Sequence, residues 1–214
     1  MTTDRPNRLS ATQLQKLRSA LHPGFEEASR AMADWLERPA VVGVDSVDQL
    51  DFDEATSLLG GDGQPICFCV AETSGLLKGQ MILAFDDTSG FTLTDYLLDQ
   101  PGGSTTEWDD LARSAMAETT NIICCAFLNV LGKTFSDSEA NTEWLPGPPV
   151  FGQDFAESIL EFAIMDQAIA GNQAVVCETR FMIDGDRIGC TLLIVPDAAS
   201  MQRLVESIDA DNDG

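Results

Sequence analysis

Glu118 and Asn121 stand three residues apart in the stretch Trp108 to Gly132, WDDLARSAMAETTNIICCAFLNVLG. On a helix an acid and an amide at this spacing are neighbours on one surface. The carboxylate accepts hydrogen bonds, the amide both donates and accepts, and together they can meet a single target. At about 100° of turn per residue, Ser114, Glu118, Asn121 and Cys125 share a narrow arc, with Asn129 close to it. The opposite side carries Ala112, Met116, Ile122, Ile123, Ala126, Phe127, Val130 and Leu131, an apolar face broad enough to seat the helix on a sheet. A polar stripe of this kind is ordinarily no more than a solvated helix face, so what surrounds it decides its meaning.

The rest of the chain offers little competing chemistry. Six cysteines occur as Cys67 and Cys69, Cys124 and Cys125, Cys177 and Cys190, with no C-x-x-C pair and His22 the single histidine. That leaves no zinc set. Cysteines in apolar strand-like runs read as buried reduced thiols, and Cys125, on the polar stripe, is the exception to follow. Asp209 to Gly214 copies the opening of a calcium loop but lacks the ligands that must follow, ending in a Glu at position twelve. An acidic tail is the expected reading. Gly60-Gly61-Asp62-Gly63 has no Lys-Ser/Thr behind it and reads as a loop rather than a phosphate cradle.

Twelve Lys and Arg stand against 35 Asp and Glu, a net charge of −23 in 214 residues. Nucleic acid and anionic membrane surfaces both call for clustered cations, so neither is an expected partner. The longest apolar run falls short of the roughly 20 residues of a membrane span, and the N-terminus shows no charged start followed by an apolar core. A soluble cytoplasmic protein is expected, with 44% hydrophobic residues to build a core.

The elements that must position the stripe follow from periodicity and punctuation. Residues 1 to 9 form a polar tail. Ser10 or Thr12 caps a helix that reaches Leu36, interrupted by a kink at His22-Pro23-Gly24. Ala40 to Val47 is a strand, Asp51 to Leu59 a short helix, Ile66 to Glu72 and Gln80 to Phe85 two strands, and Phe91 to Leu98 a short helix. After the central helix come a polar loop (Ser136 to Glu143), a rigid extended segment (Leu145 to Gly152) and a helix (Phe155 to Ala170). A hairpin of Ala174 to Ile183 and Arg187 to Val195 turns on Asp184-Gly185, and a helix closes the chain over Ala198 to Ile208.

This order repeats: long helix, extended segment, short helix, hairpin, terminal helix. Gly79 to Asp87 lines up with Gly189 to Asp197 at an offset of 110. The expectation is a duplicated α/β (α+β) unit, repeats of about 10–100 and 104–208, with both hairpins in one antiparallel sheet and helices packed on it.

At this point the residues carry a resemblance. The pattern S-x-x-x-E-x-x-N through Ser114, Glu118 and Asn121, continuing as NIICCAFLNVLG, resembles the second signature helix of the CheC, CheX and FliY family of chemotaxis phosphatases. PGPPVFGQDFAESIL (Pro146 to Leu160) resembles the Pro-rich segment and following helix of CheC proteins, and ASRAMADWL (Ala28 to Leu36) the end of the family's first signature helix. The resemblance implies a pseudo-two-fold, CheC-like domain over residues 10–208. It also implies a hydrolase of two-component signalling that acts on the phospho-aspartate of a CheY-type response regulator. It assigns Asn121 to orienting the attacking water, Glu118 to pairing with the regulator's active-site lysine, and Ser114 to a supporting hydrogen bond. The Mg²⁺ it implies belongs to the partner, and no cofactor of the chain's own is expected. In the first half the same alignment puts Ser19 where Glu is expected and His22 where Asn is expected, so one working site is expected and the first is degenerate. An alternative of another class stands beside it: a non-catalytic adaptor of this fold, binding a response regulator, a CheD-like deamidase or a flagellar switch component.

Overall fold

A computed structural model of the chain describes residues 8–60, 63–75, 78–135, 146–159 and 173–210. Among them run α1 (Ala11–Leu36), β1 (Ala40–Asp51), α2 (Phe52–Gly60), β2 (Ile66–Thr73), β3 (Gly79–Phe85), α3 (Asp87–Leu97), α4 (Asp110–Phe135), β4 (Val150–Asp154), β5 (Gln173–Ile183), β6 (Asp186–Pro196) and α5 (Ala198–Ala210). Residues 156–159 add a helical turn. The expected loop at Ser136 to Glu143, most of the helix expected to reach Ala170, and the ends of both tails lie outside the described residues.

The six strands form one sheet in the order β1-β5-β6-β3-β2-β4, antiparallel throughout. Exchanging the halves (β1 with β4, β5 with β2, β6 with β3) returns the same order, so the duplication is a pseudo-two-fold between β3 and β6. Side chains alternate across the sheet. Met81, Leu83 and Phe85 meet α1 and α4 in the larger core, while Ile82 and Ala84 face a smaller one with Phe52, Ala55, Ala156 and Ile159. β3, central and covered on both faces, is buried along its whole length.

The caps correct the internal alignment by one residue. Asp86 Oδ1 accepts from the Ser89 N–H at 2.8 Å and Asp197 Oδ1 from the Ser200 N–H at 2.7 Å. These equivalent caps of α3 and α5 are related by 111 positions, Asp86 to Asp197, rather than 110. The slip matters because a one-residue shift exchanges the two faces of a strand. The corrected offset carries Met81 onto Leu192 and Leu83 onto Ile194, all in the larger core. The same cap explains why α3 begins at Asp87, four residues before the expected Phe91.

Two further boundaries differ. α1 continues as one helix through Pro23, the position at which a kink was expected. His22 and Pro23 are exposed, so the bond Pro23 cannot donate is lost on the solvent side. Leu17, Leu21, Phe25 and Ala28, buried before and after it, keep both halves of the helix on one core. β1 extends to Asp51, four residues past the expected end, with a bulge between Val44 and Ser46 that resets its alternation. The expected turn at Asp184-Gly185 is present with φ of 52° and 94°, the two positive values a two-residue hairpin turn requires. The Pro-rich segment is extended as expected: Gly147 N–H donates to Glu72 O at 2.7 Å, and β4 then pairs with β2.

The loop leading to α4 folds around a buried carboxylate. Asp95, 3% exposed, accepts from the N–H groups of Gly103 (2.6 Å), Ser104 (3.2 Å) and Thr105 (2.8 Å). Burial pushes its pKa up, but the Thr105 hydroxyl and these three amides outweigh burial and hold it below the ordinary value. A folded-state pKa below the unfolded one stabilises the fold above the unfolded pKa of about 3.9, a contribution lost as the pH falls through the folded pKa. Asp95→Asn is expected to cost about 2 kcal/mol at pH 7. Urea unfolding should show its gap to wild type narrowing as the pH drops below about 4; a gap that stays constant would show that the carboxylate charge is not what holds the loop.

Candidate functional site

α4 is placed by anchors at its start. Trp108, 7% exposed, lies between Phe91 and Phe151 with ring centroids 4.8 and 5.0 Å away, and its Nε1–H donates to Asp87 Oδ1 at 3.0 Å. Asp109 then caps the helix, its Oδ1 accepting from the Ala112 N–H at 2.8 Å. Beyond the cap Ala112, Met116, Ile123, Phe127 and Leu131 are buried against α1 and the sheet, while Ile122 and Val130 are half-buried. Thr119 and Thr120, wholly buried, donate their hydroxyls at 2.9 Å to the carbonyls of Ala115 and Met116, so no polar atom is stranded there. By length and composition α4 passes for a membrane span, but here it is the helix on which the larger core is built.

The polar stripe faces outward. Ser114, Glu118 and Asn129 are exposed, and Asn121 and Cys125 are half-buried. The structure therefore brings all the residues singled out on this helix onto one accessible surface. Cys125 Sγ lies 3.9 Å from Asn121 Oδ1, within reach of a sulfur hydrogen bond. Burial, then the charge of Glu118, push the Cys125 thiol upward, so it is a protonated donor at neutral pH. The other five cysteines are buried and free: Cys67, Cys69, Cys177 and Cys190, as their apolar strand-like runs implied, and Cys124 on α4. No group of three His, Cys, Asp or Glu residues able to hold a metal occurs among the described residues.

The cation and aromatic ring beside this surface escaped the sequence reading. Arg113 lies over the Phe151 ring at 5.8 Å, joining α4 to the edge strand β4. No local periodicity signals a contact between residues so far apart; only the topology brings them together.

Ser19 and His22 occupy the corresponding place on α1. Both long helices have 26 residues, and Ser10 caps α1 by accepting from the Gln13 N–H as Asp109 caps α4. The shift of 99 positions that carries Ser10 onto Asp109 carries Ser19 onto Glu118 and His22 onto Asn121. The surroundings differ, however. Ser19 Oγ donates back to Gln15 O at 3.2 Å, and His22 Nδ1 lies 3.8 Å from Glu26 Oε1 in an exposed pair. Beside them Arg18, Pro23 and the bulged stretch Val44 to Val47 line a hollow of about 420 Å³, with Arg18 Nε donating to Val47 O at 2.9 Å.

No protein-family model matches the sequence, and no curated protein matches it. Solved structures do match the fold. FliY from Thermotoga maritima superposes with a TM-score of 0.75 at 15% identity, over 94% of this chain and 98% of that one. The FliM middle domain from H. pylori gives 0.68 at 17% identity, over 93% and 99%. The fold is that of FliY and the FliM middle domain. CheX from Borrelia burgdorferi, solved with CheY, BeF3 and Mg²⁺, lies further off at 0.51 and 15%, over 83% and 98%. The resemblance carried by the helix motif and the Pro-rich segment is thus borne out in the architecture: a mixed α/β, six-stranded antiparallel fold with two long helices.

Proposed function

We propose that the chain is a phosphatase for the phospho-aspartate of a CheY-type response regulator, working from Glu118 and Asn121. The observation that carries this reading is the outward placement of the stripe on α4: an acid and an amide one turn apart, accessible together, on a helix whose far side is locked into the core. In the reaction water attacks the phosphorus, the bond between phosphorus and the aspartyl oxygen breaks, and aspartate and inorganic phosphate are released. Phosphoryl transfer asks mainly for positioning and charge stabilisation. Asn121 holds the attacking water in line, and Glu118 pairs with the regulator's active-site lysine and so orients the docked partner. Ser114, one turn before Glu118, supports that contact by a hydrogen bond. The divalent ion of the reaction belongs to the regulator. Likeness in fold to a CheX solved with CheY supports this choice of partner, and a cytoplasmic setting goes with it.

A second reading has its own support. The FliM that resembles this chain at a TM-score of 0.66 was solved in complex with FliG, and Ser19 and His22 replace an acid and an amide in the first half. On this reading the chain is an adaptor that binds a regulator, a CheD-like deamidase or a switch component without catalysis. Phosphate release from a phosphorylated cognate regulator decides between them. Acceleration by wild type is expected; binding without acceleration establishes the adaptor. In the same assay His22→Ala is expected to change turnover by no more than about twofold, the range of an exposed substitution. A large fall would mean that α1 carries a second working site.

A further inference from the structure

From the contact between Cys125 and Asn121 we infer that Cys125 is a positioning residue for the amide, holding Asn121 in the orientation that the proposed reaction uses. The inference rests on the phosphatase reading for its functional consequence, but its structural part stands without it. An asparagine side chain has two ends of opposite character, an accepting Oδ1 and a donating Nδ2. An amide free to turn over presents the wrong end for part of the time, so a water-orienting asparagine needs something to tell its ends apart. Cys125 supplies this, four residues and one turn along the same face, with Sγ 3.9 Å from Oδ1. A thiol bond taken at Oδ1 leaves Nδ2 as the end offered to an incoming water or phosphoryl oxygen. Two other observations single this thiol out. It is the one cysteine of six that is not buried, so it stands at the surface where the partner would dock. It also follows Asn121 by one helical turn and Glu118 by two on α4, so it lies on the same arc as both residues of the proposed site.

The test compares Cys125→Ala, which removes the donor, with Cys125→Ser, which restores one. The first readout is the Asn121 side-chain NH2 pair in a ¹H–¹⁵N spectrum, assigned by its loss in Asn121→Ala. Cys125→Ala is expected to shift this pair and lower its order parameter, and Cys125→Ser to bring both back toward wild type. The second readout is phosphate release. Cys125→Ala is expected to lower kcat about three- to fivefold, the effect of one weak hydrogen bond, with KM unchanged, and Cys125→Ser to recover most of it. An Asn121 amide unmoved by Cys125→Ala, or equal changes in both variants, overturns the inference. Loss of release in Asn121→Ala with full release in Cys125→Ala overturns it while leaving the phosphatase reading intact. Absence of release in wild type sinks the phosphatase reading, and the amide spectra still decide whether Cys125 fixes Asn121.

Discussion

Asn121→Ala is expected to cut the acceleration of phosphate release by about 100-fold, the size of effect that follows when an attacking group is displaced by roughly an ångström. The change should fall on kcat. Asn121 is half-buried on the outer arc of α4, and the side-chain bond described for it is the weak one from Cys125, so its truncation removes little that holds the fold. Partner binding should persist, because Glu118 and the rest of the stripe remain. Circular dichroism and regulator binding, measured alongside release, separate this outcome from loss of the folded chain. Full activity in a folded Asn121→Ala variant would remove Asn121 from the reaction and leave the adaptor reading in possession of the surface.

Phe127→Ala is expected to lower stability by about 3–5 kcal/mol, the usual cost of truncating a buried phenylalanine. Phe127 is wholly buried and meets Phe25 edge-to-face, with centroids 4.6 Å apart and planes at 89°. It also lies against Gly24, where an added Cβ would come within 2.8 Å of the ring. The two long helices approach closely here, and backbone on one side meets an aromatic ring on the other. Urea unfolding is the measurement. A loss below about 1 kcal/mol would mean that α1 and α4 close over the vacated space and that the ring is not what sets their spacing.

What the sequence allowed to be read, and what it concealed, divides along physical lines. The stripe on α4 was legible because both of its faces follow the helical period, and the hairpin turn because Asp184-Gly185 has local chemistry that few other conformations satisfy. Ser19 and His22 were placed by the family resemblance of Ala28 to Leu36, and the two long helices, which start 99 positions apart, set them level with Glu118 and Asn121. The repeat offset was missed by one residue because Met81 to Phe85 and Leu192 to Val195 are apolar on both faces and carry no alternation to fix the phase; the Asp caps that do fix it lie just beyond them. At Pro23 the helix carries on because apolar residues dock before and after it. Arg113 and Phe151 belong to elements separated by residues 136–149, and nothing in either segment announces the other.

The sheet pairs β1 with β5 and β4 with β2, so the first strand of each repeat completes the hairpin of the other. Neither repeat is a self-sufficient body; each is clasped by its twin. Removing either copy would leave the other's hairpin with a bare outer edge and its long helix without the ring contact that spaces it.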